Sequence, residues 1–150
     1  MRATLLLLLL SAALAGCPAA KGTDTADTGA QTAALPLEIV GSYTDAFGTT
    51  HDIDEDAWVQ TYPGYDPLRF EVAWWDNAEG RLVAHNDPAN AYAGDLWSAF
   101  DWTWTADDHL YYCQSAFDAD SEDAAGAAPA ADADDLDAGC GGFAWTDLTP

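Results

Sequence analysis

Positive charge is what this chain has least of. Only Arg2, Lys21, Arg69 and Arg81 are basic among 150 residues, against 26 Asp and Glu, for a formal net charge of −22. Such a chain repels polyanions and anionic lipid surfaces over a Debye length, which excludes a nucleic-acid-binding role. With so few cations to pair with, most carboxylates must be solvated or screened, so stability should rise with ionic strength. Long apolar runs are missing too. The one from Thr4 to Gly16 holds about a dozen residues, short of the roughly 20 that a membrane-spanning helix needs. There is no nucleophile elbow around Ser42, Ser98 or Ser115, no phosphate-cradling glycine loop and no HExxH helix, so no catalytic residue is assigned.

Cysteine is scarce as well, and its three positions organise the chain. Arg2, the run Leu5 to Leu10 and the small residues Ser11 to Ala13 have the profile of an export signal. Leu14-Ala15-Gly16-Cys17 resembles the lipobox cut by the bacterial lipoprotein signal peptidase. The resemblance implies removal of the signal peptide 1–16, acyl chains such as palmitate on Cys17, and a place in the bacterial cell envelope, anchored to a membrane and facing periplasm or exterior. Each buried methylene contributes about 0.8 kcal/mol, and two or three chains together anchor stably. Processing leaves three basic against 26 acidic residues, a side-chain charge of −23. From the lipidated cysteine through residue 36 the chain is small and polar with no apolar period, which reads as a flexible tether. Cys113 and Cys140 then remain, in an oxidising compartment, and are expected to form a disulfide. Two thiols and three scattered histidines do not make a spaced zinc-ligand set.

Acidic chains are often disordered, but seven Trp, six Tyr and five Phe are too many for a solvated tail. Residues 37–150 are expected to form one acidic all-β domain, a single antiparallel β-barrel or β-sandwich of about eight short strands. The strands are placed near 38–44, 49–53, 58–62, 69–75, 81–85, 98–105, 109–114 and 143–148, with short hairpin turns between the early ones. Alternation puts Phe70, Val72 and Trp74 on one side of their strand and Glu71, Ala73 and Trp75 on the other; Phe100, Trp102 and Trp104 likewise oppose Asp101 and Thr103. The first-named sets are expected in the core. Between 116 and 138 the composition collapses to Ala, Asp, Gly and Pro, predicting a long loop with a short helix within 119–128, limited by Gly126 and Pro129. The echo of Phe100-Asp101-Trp102-Thr103 in Phe143-Ala144-Trp145-Thr146 predicts two similar strands.

Few residues are candidates for a site. Asp52, Asp54 and Asp56 are spaced as the first three ligands of a calcium loop, but Ala57 and Pro63 stand where such a loop needs Gly and Glu, so a solvated strand end is the primary reading and calcium the alternative. Asp132, Asp134, Asp135 and Asp137 are read in the same way. Nothing in the sequence brings His51, His85 and His109 together. Exposed Trp and Tyr on a β-sheet can stack on sugars or grip a protein, with neighbouring Asp and Asn accepting hydroxyl hydrogen bonds; Trp75, Trp97, Tyr92 and Tyr111 are the candidate ligand contacts, set against packing in the core or at its rim.

Gly41-Ser42-Tyr43, Asp45 and Phe47-Gly48-Thr49-Thr50 resemble the first strand and turn of lipocalin- and avidin-like barrels, with Tyr43 in place of the usual Trp. Phe100-Asp101-Trp102, Tyr111-Tyr112-Cys113-Gln114 and Cys140-Gly141-Gly142-Phe143-Ala144-Trp145-Thr146 resemble a group of small bacterial lipoproteins of uncharacterised function. These resemblances imply anchoring and the cysteine pair but supply no activity. The expected function is a membrane-anchored, non-catalytic binding or structural module of the envelope, with a glycan or envelope protein as partner. The alternatives are a small-ligand or carbohydrate-binding barrel and a secreted-type hydrolase.

Overall fold

The computed structural model describes residues 35–150; the leader 1–16, Cys17 and the tether as far as residue 34 lie outside the described residues. Alternating large and polar residues give each strand an apolar face, and the strands roll up with that face inward. Eight strands follow one another: β1 Gly41–Thr44, β2 Thr50–Ile53, β3 Ala57–Thr61, β4 Leu68–Asp76, β5 Arg81–Asn86, β6 Trp97–Trp104, β7 Leu110–Ala119 and β8 Thr146–Leu148. Each is antiparallel to the next, in sequence order. Thr44 and Thr149 exchange both backbone hydrogen bonds, at 2.7 and 3.0 Å, and so bring the two sheet edges together. The expected antiparallel barrel of about eight strands is the fold.

An eight-stranded barrel is just wide enough for side chains to fill it. Here Trp58 stacks on Phe100 with ring centroids 4.6 Å apart, Phe70 meets Phe100 edge-on at 5.0 Å, and Tyr112 tilts against Trp58 at 5.2 Å. Ile53, Leu82, Leu110 and Leu148 complete this core. The turn into β5 depends on Gly80, at φ +61°, where a Cβ would run into the carbonyl oxygen of Trp102.

Two expected faces are corrected. A register shift between Val72 and Trp74 in the β4–β5 pairing reverses the alternation, so Val72 and Trp75 pack on the interior core while Trp74 lies outside against Val83, Ala99 and Ala125. The extra residue of a bulge produces this reversal. Trp104, expected in the core, is 43% exposed at the end of β6. Two strand ends are also shorter than expected. Glu38 to Val40 are not in a strand: Leu37 and Ile39 are buried as a plug across one end of the barrel, and β1 begins only at Gly41. Phe143 to Trp145 precede β8, so the echo of Phe100 to Thr103 is not a second strand of the same kind.

The Ala- and Asp-rich excursion lies on the barrel's outer wall. Its helix α1 is limited to Glu122–Gly126, with Ser121 capping the Ala124 N–H. Ala125 buries itself against Val83 and Ala99. Two fasteners hold the segment: the Cys113–Cys140 disulfide, and Arg81, which grips Asp101 at 2.6 and 3.1 Å and donates to the carbonyls of Gly126 and Ala128.

Candidate functional site

In an up-and-down barrel successive hairpin loops fall at alternate ends. Loops 45–49, 62–67 and 87–96 and the 120–145 excursion therefore gather at one end, the rim; loops 54–56, 77–80 and 105–109 gather at the other. The N-terminal segment closes that second end. The Trp75 indole N–H donates to the Leu35 carbonyl at 3.0 Å, Asn77 donates to Pro36 at 2.8 Å, and the Trp102 indole donates to Glu38 at 2.8 Å.

The rim is aromatic. Phe47, Tyr62, Tyr65, Tyr92 and Phe143 are exposed on its four connections, and Phe117 is exposed near the end of β7. Two open pockets of about 440 Å³ each share Tyr62 and Tyr65: a groove that adds Asp66, Leu68, Ala91 and Tyr92, and a chamber that adds Asp45, Phe47, Thr49, Pro63, Tyr112 and Thr146. A broader depression of about 640 Å³ lies between β7 and the excursion, beside the disulfide. Loop 87–96 is tied to the barrel interior through Asn86, which donates to the carbonyls of Ala93 and Phe117 and accepts from Ser98, itself hydrogen-bonded by Gln114.

The chamber floor is polar and buried. Asp45 turns the β1–β2 loop by accepting the N–H groups of Phe47 at 2.8 Å and Thr49 at 2.9 Å on one carboxylate oxygen. Its other oxygen faces Nε2 of the fully buried His51 at 3.5 Å, and the far side of that ring, Nδ1, accepts the Trp58 indole N–H at 3.2 Å. That bond assigns the imidazole proton to Nε2. Burial lowers the His51 pKa against the opposing pull of Asp45, so the ring is neutral. Burial alone would raise the Asp45 carboxyl, but the N–H groups of Thr49 and Phe47 lead the hydrogen bonds that take it below the usual value. Thr49 Oγ1, His51 Nε2 and Gln60 Nε2 are buried without a hydrogen-bond partner, while Gln60 Oε1 accepts from the Tyr62 hydroxyl at 3.0 Å.

These shifts set a pH limit on the fold. A histidine kept neutral by burial favours the folded chain less as the pH falls below its ordinary value of about 6.5, because the unfolded chain takes up a proton that the folded one refuses. Asp45, lowered in the fold, adds a second loss as the pH falls below about 3.8. Tyr43, Tyr62 and Tyr112 are all raised by burial, so stability is also lost as the pH rises above about 10. Urea unfolding between pH 8 and about pH 5 should show stability falling on the acid side, and His51→Gln should flatten that slope. An unchanged slope in the variant would remove His51 as the cause.

Of the four aromatic candidates, Tyr92 lines the groove. Trp75 packs on the core at the closed end, Trp97 packs on the outer wall beside His85, and Tyr111 is half-buried on β7 opposite Asp147. The histidines do not converge: His85 faces Asp95 at 3.3 Å, His109 faces Asp147 at 3.7 Å, and His51 lies beneath the rim. Asp52 accepts from Ser42, and Asp54 caps the β2–β3 turn through the N–H groups of Asp56 and Ala57. Asp132 and Asp135 cap turns of their own. Among the described residues no group of three or more His, Cys, Asp or Glu is placed to hold a metal ion.

Comparison with protein-family models, with curated proteins and with solved structures returns no match to this chain. Sequence reasoning missed Asp45, Thr49, Gln60, Tyr62 and Tyr65 as site residues. The only available signal was Tyr62-Pro63-Gly64-Tyr65, an aromatic pair astride a turn, which reads first as turn chemistry.

Proposed function

We propose that this chain is a bacterial envelope lipoprotein, acylated on Cys17, whose barrel is a non-catalytic binding module presenting its aromatic rim to a neutral glycan. One observation carries the reading. The chain enters the barrel at the closed end, where Leu35 and Pro36 are hydrogen-bonded, and the groove with Tyr62, Tyr65 and Tyr92 opens at the opposite end. The point at which the described chain enters the barrel thus leaves the aromatic rim uncovered. Sugar rings stack on Tyr faces, and Asp66 supplies a hydroxyl acceptor within the groove. An acidic surface favours a neutral glycan over an anionic one.

Cys17→Ser should abolish palmitate labelling and move the protein from the membrane to the soluble fraction. Tyr92→Ala, at an exposed position, should weaken retention on a neutral polysaccharide matrix about tenfold while leaving the melting temperature unchanged. Membrane retention without Cys17 would refute the anchor, and undiminished retention on the matrix by Tyr92→Ala would refute the glycan reading.

A further inference from the structure

We propose that the chamber beneath the rim binds a small organic cation, an alkylammonium group whose charge meets the Asp45 carboxylate and whose apolar surface meets Phe47, Tyr62, Tyr65 and Tyr112. The first ground is a carboxylate, held in its charged form by backbone N–H groups, that has no cation beside it. Asp45 is only 9% exposed, and its one close basic neighbour is His51, a neutral ring. The two arginines among the described residues face other carboxylates, Arg81 with Asp101 and Arg69 with Glu71. A cation entering the chamber would meet that charge directly.

The second ground is the wall of the chamber. Thr49, 1% exposed, lines it beside Asp45, to which its backbone N–H is bonded. Four aromatic rings surround the same space, and a cation over a ring face gains about 0.5–2 kcal/mol, more as water is excluded. The volume, about 440 Å³, is that of a small-molecule pocket. A formal net charge of −22 raises the local concentration of any cation.

Other ligands match less of this arrangement. Calcium requires six to eight oxygen ligands, and here one carboxylate stands among aromatic rings. An anion would meet Asp45. A neutral polyol could donate to the carboxylate but carries no charge to match it. The proposal goes beyond the glycan reading: the two pockets share Tyr62 and Tyr65, but Asp45 does not line the Tyr92 groove and Tyr92 does not line the chamber.

The test is titration of the processed, acylated protein in non-ionic detergent with choline, n-butylammonium and the uncharged choline isostere 3,3-dimethylbutan-1-ol, followed by calorimetry. Both cations should bind saturably in the millimolar range, and the isostere at least about tenfold more weakly. Asp45→Asn keeps an oxygen for the Phe47 and Thr49 N–H groups and should lower affinity for both cations about tenfold or more. Tyr65→Ala, at a 73% exposed position, should weaken binding severalfold without affecting the fold. Tyr92→Ala should leave cation binding unchanged, so loss of the glycan reading and loss of this one are separable. Equal binding of the isostere, no saturable response to either cation, or full affinity in a normally melting Asp45→Asn would overturn the proposal. Should Asp45→Asn fail to fold, the isostere comparison and Tyr65→Ala decide the question.

Discussion

Arg81→Met should lower the unfolding free energy by about 3–5 kcal/mol, the usual cost of stripping one partner from a buried ion pair. For a domain of this size that is a fall in melting temperature on the order of 10–20 °C. The Arg81 side chain is 11% exposed and that of Asp101 6%, so solvent screening discounts the interaction little. The substitution strands more than the carboxylate. Arg81 also donates to the Gly126 and Ala128 carbonyls, and Asp101 accepts the Ala131 N–H at 2.8 Å, so one pair fastens three points of the excursion to the barrel wall. Replacing both members, Arg81→Met with Asp101→Leu, should recover most of the loss by removing the unpaired charge, though not all of it, because the excursion's backbone groups stay without partners. Denaturant unfolding of both variants measures this. A single-variant loss below about 1 kcal/mol would mean that the pair is solvated and does not fasten the segment.

The barrel was legible because its information is local. Period-two alternation and Gly-centred turns mark each hairpin, and eight hairpin-connected strands have few ways to bury one face each. What was not legible depended on breaks in that period. Nothing in Phe70-Glu71-Val72-Ala73-Trp74-Trp75 announces the register shift after Val72, and a one-residue slip exchanges the two faces, moving Trp75 inward and Trp74 outward. Trp104 fails as a core residue for a different reason: it is the last residue of β6 and is 43% exposed, although Leu110 opposite it is buried. Leu37 and Ile39 look like the start of a strand because both strands and plugs need alternate apolar residues; only the closed end of the barrel distinguishes them.

The site was less legible than the fold. Asp45, His51 and Trp58 come from three successive elements, and their linkage is a product of pairing, with His51 opposite Gln60 and Trp58 opposite Ile53 across the β2–β3 ladder. Tyr92 was a candidate by its residue type, but its neighbours Tyr62 and Tyr65 reach it only because two loops, 62–67 and 87–96, meet at one end. The calcium-like spacing of Asp52, Asp54 and Asp56 belongs to a turn: Asp52 accepts from a serine, and Asp54 accepts the backbone N–H groups of Asp56 and Ala57, with no common centre.

Removing the disulfide, as Cys113→Ala with Cys140→Ala, should cost about 3–4 kcal/mol on the chain-entropy account, given a sequence separation of 27 residues. That account places the effect in the unfolded chain, where the bridge restricts a loop that would otherwise be free. The structure also permits a native-state origin. Cys113 lies opposite Asp101 in the β6–β7 ladder, so the bridge and the Arg81 clamp hold the same excursion from adjacent positions. A double-mutant cycle with Arg81→Met separates the two. If the bridge acts through the unfolded chain, the losses add to within about 0.5 kcal/mol, because the clamp exists only in the fold. If the excursion detaches as a unit once either fastener is gone, the second loss is much smaller than the first. Amide exchange protection at Ala125 and Ala131 should then already be lost in each single variant, while the barrel strands retain theirs. Additive losses with Ala125 still protected in the disulfide-free protein would assign the bridge's contribution to the unfolded state and leave Arg81 and Asp101 as the contact that holds the excursion in place.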